Sequence, residues 1–249
     1  MESKAWAVVV AAGMSSRMGG TVKKQFMRLR GKEVLVYSLS TFESMASIEG
    51  VVVATGEEDI PLVQDLCERY HLSKVRSVVP GGDTRQKSVY EGLKGVKDCL
   101  EVKNRLAVED NPADVVLIHD GARPFATAGE IEETIRAART YGGALLAAPV
   151  TDTIKVVSED LLVTDTPLRS TLYAAQTPQT FRFPDILEAH KRALIAGDEA
   201  LTDDAQIAER YSDLEVKIVP GSYDNIKITT KRDIELGLKI LESRVLRSI

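Results

Sequence analysis

The stretch with the most chemistry in this chain is AWAVVVAAGMSSRMGGTVKKQ, Ala5–Gln25. An apolar run stops at Ala11-Ala12-Gly13, and a small-residue loop then carries Arg17, Lys23 and Lys24. Val8–Val10 suit a strand buried on both faces of a parallel sheet. Gly13 permits a sharp turn and lets backbone N–H groups approach a ligand. Fixed cations beside such a turn suit a polyphosphate, whose charge is costly to desolvate without partners. The expectation is a nucleoside triphosphate at the carboxyl end of the first strand. A polar surface loop with solvated cations fits this stretch equally well. Two other phosphate loops are excluded. A P-loop needs Gly-Lys followed by Ser or Thr, and neither lysine follows a glycine. A dinucleotide turn needs G-x-G-x-x-G leading straight into a helix, and Gly13 and Gly19 are too far apart.

Other polar residues gather where later strands should end. Gly81-Gly82-Asp83-Thr84-Arg85, with Ser88 one helical turn on, reads as a cradle for a base and ribose, glycines in the turn and free N–H groups at the helix start. A plain turn with Asp83 or Thr84 as N-cap is the competing reading. His119-Asp120-Gly121-Ala122-Arg123 puts a carboxylate at a strand end, where Asp120 suits Mg²⁺ beside phosphate oxygens and could equally pair with Arg123. Arg169, Thr177-Pro178-Gln179 and Asp224-Asn225-Ile226-Lys227 form a last group. There Asp224 could be a second metal carboxylate, Lys227 a further cation and Thr177 a substrate contact.

These groups need strands and helices to bring them together. Strands are expected at Ala5–Ala11, Gly50–Thr55, Lys74–Val79, Val115–His119 and Ala144–Pro149. Helices are expected near Glu33–Phe42, Ile60–Tyr70, Thr84–Lys94 and Ala128–Tyr141. That alternation predicts βαβ units and a mostly parallel sheet. Lys97–Pro112, charged and poorly periodic, reads as a surface connection. Thr151–Leu168 breaks the pattern with two short β-like runs around Ser158-Glu159-Asp160, the composition of a hairpin. An isolated hairpin is marginal in water, so a second subunit or its own domain should cover it. Leu172–Phe181 returns to the core, Asp185–Ala196 and Asp203–Tyr211 read as helices, Glu215–Val219 and Ile226–Thr229 as strands, and Lys231–Leu246 as a closing helix.

At 249 residues, with 44% hydrophobic and 28% charged side chains, the chain suits one α/β domain, 1–249. A net charge of −5 with interspersed signs argues against a nucleic-acid surface. Cys67 and Cys99 have no metal-ligand spacing and read as reduced thiols. No run approaches the ~18 apolar residues of a membrane helix, so a cytoplasmic location is expected, with no nucleic-acid or membrane partner.

In order, AAGMSSRM, KQF, GGDTRQKSV, HDGARPF, AAPVTDTIK, QTPQTF and DNIKIT resemble the 2-C-methyl-D-erythritol 4-phosphate cytidylyltransferases from about Trp6 to Lys239. The resemblance implies a Rossmann-like nucleotidyltransferase fold, a protruding β-arm at 151–168 and a homodimer joined by exchanged arms. It implies Mg²⁺-assisted transfer of CMP from CTP to a small sugar-alcohol phosphate. By the same resemblance Arg17 and Lys24 match the cations that stabilise the transition state. Ala11, Ala12, Gly13, Gly82, Asp83 and Ser88, with Arg85 in the same motif, match the nucleotide site. Asp120 and Asp224 match metal positions, Arg169 and Lys227 position the sugar phosphate, and Arg123 and Thr153 lie on the substrate side. Ribitol 5-phosphate is the alternative acceptor. Two departures stand out: Lys23 occupies a place where proline is usual, and Gly121 one where alanine is common.

Overall fold

The computed structural model describes residues 4–13, 22–106, 114–198 and 200–246. The chain begins with β1 (Ala5–Ala11), followed by the two-stranded ribbon β2 (Arg28–Leu29) and β3 (Lys32–Glu33), which leads into α1 (Val34–Ser44). Two further strand–helix units follow: β4 (Ile48–Thr55) with α2 (Ile60–Arg69), and β5 (Val75–Pro80) with α3 (Arg85–Leu106). Next come β6 (Val115–Asp120), α4 (Ala128–Tyr141) and β7 (Gly142–Pro149). A small hairpin, β8 (Val156–Val157) and β9 (Val163–Asp165), precedes β10 (Tyr173–Arg182). The chain closes with α5 (Phe183–Ala196), α6 (Asp204–Tyr211), β11 (Glu215–Pro220) and α7 (Lys231–Leu246).

Seven strands make one sheet in the order β11-β7-β10-β6-β1-β4-β5. All neighbours are parallel except β10, which runs antiparallel to β6 and β7. The alternation of side chains along β1 explains the layers. Ala5, Ala7, Val9 and Ala11 face a core shared with Leu35, Phe42, Val63 and Ile131 of α1, α2 and α4. Trp6 and Val8 face the opposite core with Val89, Leu93, Ile186 and Ile207 of α3, α5 and α6. A third cluster, Leu29, Val34, Phe125, Ile228 and Ile240, seats α7 against the ribbon. The α4 start carries a full capping box, Thr127 with Glu130, and the second Glu130 oxygen accepts the Ser222 N–H at 2.8 Å.

Two expectations change. The stretch from Lys97 was read as a connection, but α3 continues to Leu106. Its buried residues Val89, Leu93, Val96 and Leu100 are spaced four, three and four apart, so the apolar stripe outlasts the charged residues around it. Ile226–Thr229 was expected as a strand and forms none. Ile228 N–H bonds only the Ala122 carbonyl, at 2.8 Å, while the amides of Thr229 and Thr230 turn to the Asp233 carboxylate at 2.8 Å. The hairpin forms, shorter than expected, and its apolar side chains lie in water, from 40% exposed at Ile154 to 79% at Leu161.

Glycine matters to layer packing at Gly92, where a Cβ would stand 2.3 Å from Val8 Cγ1. Gly92→Ala is expected to lower unfolding free energy in urea by about 1–3 kcal/mol, the cost of overpacking a tight contact. Gly129→Ala, in the first turn of α4 with open space around it, is expected to raise it by up to about 1 kcal/mol.

Candidate active site

The carboxyl ends of β1, β4, β5 and β6 open into one cavity of about 580 Å³. β1 lies between β4 and β6, so the chain leaves it toward one side and later returns on the other, the crevice where open α/β sheets hold ligands.

The first wall is the turn after β1. Ala11, Ala12, Gly13 and Lys24 line it. Gln25 is buried behind them, and its amide donates to the carbonyl of Ala11 at 2.6 Å and of Gly13 at 3.4 Å. A Cβ on Gly13 would lie 3.7 Å from Lys24 Cε and 3.8 Å from its Nζ, which places the ammonium against the turn. Lys23 is committed elsewhere: its Nζ donates to Glu58 and, at 2.6 Å, to Asp59. Arg17 lies outside the described residues.

The second wall is the turn after β5, where Gly82, Asp83, Arg85 and Ser88 line the cavity. Ser88 Oγ accepts the Gly82 N–H at 3.1 Å and donates to the Thr84 carbonyl at 2.8 Å, closing the turn onto α3. A Cβ on Gly81 would meet Ala12 Cβ at 2.7 Å, and one on Gly82 would meet Lys87 Cβ at 2.3 Å. The turn after β5 therefore reaches Ala12 only because Gly81 has no side chain, and it folds back on Lys87 only because Gly82 has none. Asp83 is exposed and pairs with Lys87 one helical turn on.

The floor is Asp120, at the last position of β6. Lys227 Nζ lies 2.8 Å from its carboxylate, Arg85 Nε 3.3 Å and Arg123 Nε 3.7 Å. Burial alone would push this carboxyl up, but Arg85 and Lys227 overrule it and hold it far below the ordinary carboxylate range. The Asp120–Arg123 pairing weighed from the sequence is thus present, as one of three. Beneath it, Asp120 N–H donates to Thr177 Oγ1 at 3.0 Å. Burial pushes His119 down to about 4, so its ring is neutral with a single donor. The order that satisfies it has Thr177 O–H donating to Nδ1 at 3.1 Å and Nε2–H donating to the Arg123 carbonyl at 3.0 Å. Thr177 is buried in this chain of bonds and does not line the cavity.

Arg85 also reaches Asp204, fully buried, at 2.7 Å through Nη2. Burial opposes the Asp204 charge and Arg85 restores it, holding its carboxyl below the ordinary range. His190 Nε2 stands 3.3 Å from the other Asp204 oxygen. Asp204 carries no signal in the sequence, because Thr202-Asp203-Asp204 reads as a helix start. Asp203 does cap α6, accepting the Gln206 N–H at 2.9 Å, while its neighbour turns inward.

The remaining expected residues stand apart. Arg123 Nη1 donates to the Asn225 carbonyl at 2.8 Å and lines a second hollow of about 450 Å³ with Thr151, Asp152 and Tyr223. Arg169 is exposed at the hairpin base, donating to the Thr151 carbonyl at 3.1 Å, and Thr153 is exposed beside it. Asp224 is half-buried outside the wall of the larger cavity, its N–H on Ser222 Oγ at 3.0 Å. Sequence reasoning did not single out Gly56, Glu57 and Glu58, which complete the cavity wall after β4.

Two carboxylates, Asp120 and Asp204, face three cations, Arg85, Arg123 and Lys227, and Lys24 adds a fourth across the cavity. The floor is positive, as a polyphosphate requires. Among the described residues no group of three or more His, Cys, Asp or Glu could hold a metal by itself. Asp120 alone, with water and phosphate oxygens, is a donor set that Mg²⁺ accepts. No helix among the described residues is long and apolar enough to cross a membrane.

The family model described as 2-C-methyl-D-erythritol 4-phosphate cytidylyltransferase matches residues 5–243. The chain is 42% identical to the protein of that name from Clostridium botulinum (strain Langeland) over 96% of this chain and 98% of that one. It is 41% identical to its namesake from Desulforamulus reducens, over 96% of each chain. Among solved structures it is similar to 4-diphosphocytidyl-2C-methyl-D-erythritol synthase from Anaerococcus prevotii, with TM-score 0.79 and 31% identity over 96% of both chains. The Thermus thermophilus cytidylyltransferase superposes with TM-score 0.71 at 27% identity, over 97% of this chain and all of that one.

Asp204→Asn is expected to cost about 1–3 kcal/mol of stability at neutral pH, since Arg85 loses a buried partner. Because the Asp204 carboxyl is depressed in the folded chain, its contribution is complete above the unfolded value near about 4 and is lost as pH falls below it. Urea titrations of both proteins should therefore differ by a constant amount from pH 8 to about 5 and converge in more acidic buffer.

Proposed function

The chain belongs to the 2-C-methyl-D-erythritol 4-phosphate cytidylyltransferase family, and on that premise we propose how its residues divide the reaction. The enzyme transfers CMP from CTP to 2-C-methyl-D-erythritol 4-phosphate. A phosphate oxygen of the acceptor forms a bond to the α-phosphorus of CTP, the bond to the β-phosphate breaks, and pyrophosphate leaves with the electron pair. The acceptor phosphate is already an anion near neutral pH, so no general base is required. The barrier is the approach of two anions and the charge on the leaving group, and positioning with charge stabilisation lowers both.

The observation that carries this reading is the positive floor around Asp120, facing Lys24 across a cavity open at the strand ends. Ala11, Ala12, Gly13, Gly82, Asp83, Arg85 and Ser88 hold the nucleotide, the two glycines admitting base and ribose. Lys24, with Arg17, takes the charge developing on the α-phosphate and on pyrophosphate. Asp120 would hold Mg²⁺ together with water and phosphate oxygens, with Asp224, which stands outside the cavity wall, as the second candidate carboxylate. The ion would supply electrostatic neutralisation of phosphate oxygens. Lys227 and Arg169 position the sugar phosphate, with Arg123 and Thr153 on the acceptor side and Thr177 acting from beneath Asp120 rather than by direct contact. The 1–249 chain acts as one catalytic domain, and its 151–168 arm, apolar and in water, is covered by the same arm of a second copy, which brings Arg169 and Thr153 toward the partner's hollow. The enzyme works in the cytoplasm.

Lys24→Ala is expected to lower kcat by about 10²–10³ in a coupled pyrophosphate assay, the scale for losing one preorganised donor; near-normal turnover would remove Lys24 from the chemistry. Asp120→Asn should shift the Mg²⁺ titration to higher concentration, and an unchanged titration would exclude Asp120 as a ligand. Leu162→Asp in the arm is expected to convert a dimer to a monomer in sedimentation velocity, and a monomeric wild type would refute the arm exchange.

A further inference from the structure

We propose that Lys23 is a positioning residue, whose ion pairs to Glu58 and Asp59 clamp the backbone ahead of Lys24 in the conformation that a proline ring would impose. The proposal rests on the assignment of Lys24 to the reacting phosphates. Lys23 has φ −64° and ψ 142°, and a proline ring holds φ near −65°. Its N–H meets no acceptor among the described residues. The position therefore has a torsion that proline can adopt and spends its N–H on no acceptor among the described residues, yet it carries a flexible side chain. Something else must restrict it.

The restriction comes from the far end of that side chain. Lys23 Nζ reaches two carboxylates 35 and 36 residues away, on the short 3₁₀ turn Glu57–Asp59 after β4. The Lys23 side chain is 21% exposed and that of Asp59 13%, so this pair is more sheltered than an ordinary surface pair. Ahead of Lys24, the chain enters a second 3₁₀ turn, Lys24–Phe26, closed by Phe26 N–H on the Lys23 carbonyl at 2.9 Å. Gln25 ties that turn to the Ala11 carbonyl, and Phe26 packs on the core. Lys24 is thus held on both sides, by an ion-pair clamp before it and by a buried amide after it. Without the clamp the hold on the Lys23 side is lost, and the stance of the ammonium over Gly13 is less fixed.

A competing account makes Lys23 a mere neutraliser of Glu58, which lines the cavity where polyphosphate charge must enter. The two accounts part on proline. Lys23→Ala removes both clamp and charge, whereas Lys23→Pro removes the charge and restores the torsion by covalent means.

The test is kcat at saturating CTP and acceptor, with amide hydrogen exchange over residues 22–27. Lys23→Ala is expected to lower kcat about tenfold, since misplacement by about 1 Å costs up to about a hundredfold. Lys23→Pro is expected to return it to within about twofold of wild type. Asp59→Asn, which leaves the cavity wall intact, should give a smaller fall of about threefold. Exchange over 22–27 should quicken in Lys23→Ala and not in Lys23→Pro. Unchanged kcat in Lys23→Ala would overturn the proposal, as would a proline variant as slow as the alanine one. A Lys24→Ala enzyme with normal turnover would instead sink the assignment of Lys24, while the exchange comparison would still decide the clamp.

Discussion

A carboxylate at the end of a central strand, nearly cut off from water, persists only if cations come to it. Asp120 is in that position, and its burial would cost several kcal/mol unless compensated. Three cations answer it, two of them from distant stretches: Arg85 from the start of α3, Lys227 from the segment before α7, and Arg123 three residues on in the turn after β6. That requirement orders the molecule as much as the hydrophobic layers do, because it fixes where three connections must end. It also brings Arg85 and Lys227 to the cavity opposite Lys24, and these cations are what an incoming polyphosphate meets.

The second constraint is steric. Backbone turns after β1 and β5 touch at Gly81 and Ala12, and a methyl group at Gly81 would sit 2.7 Å from Ala12 Cβ. Gly121 obeys the same rule on the floor: a Cβ there would meet Leu35 Cδ1 at 2.9 Å and the Val10 carbonyl at 3.2 Å. Glycine at this place leaves room for Leu35 against the end of β1.

Much of the fold was legible because it is written in periodicity. Buried strands such as Val8–Val10 and Val115–Ile118 announce themselves, and their alternation with helices leads to the parallel sheet. The antiparallel run of β10 was not legible, since direction in a sheet is a long-range property that no local pattern encodes. Gly13, Gly82 and Asp120 were legible as cavity-lining residues because glycines and a lone acid at strand ends have little other use. Asp204 was hidden by its neighbour: two adjacent aspartates at a helix start look alike, and only packing against Arg85 and His190 tells the cap from the buried partner. Lys23 and Lys24 were equally ambiguous, as adjacent cations whose roles diverge through contacts 35 residues away.

A positive floor attracts any triphosphate and says nothing about the acceptor. Discrimination between sugar phosphates has to come from groups that contact the acceptor, where an unmet hydrogen bond costs more than a missing methylene. Arg123 is the residue placed to connect the two tasks. Its Nε lies 3.7 Å from Asp120 on the floor, while Nη1 is spent on the Asn225 carbonyl at the edge of the second hollow. A guanidinium is planar and rigid, so it cannot shift toward one side without changing its geometry on the other. An acceptor phosphate drawing on Arg123 in the hollow would therefore be felt at Asp120, and the charge balance at the reacting centre would depend on whether the acceptor is in place. That coupling requires no moving domain, only one side chain that lines the hollow and pairs with the carboxylate on the floor of the larger cavity.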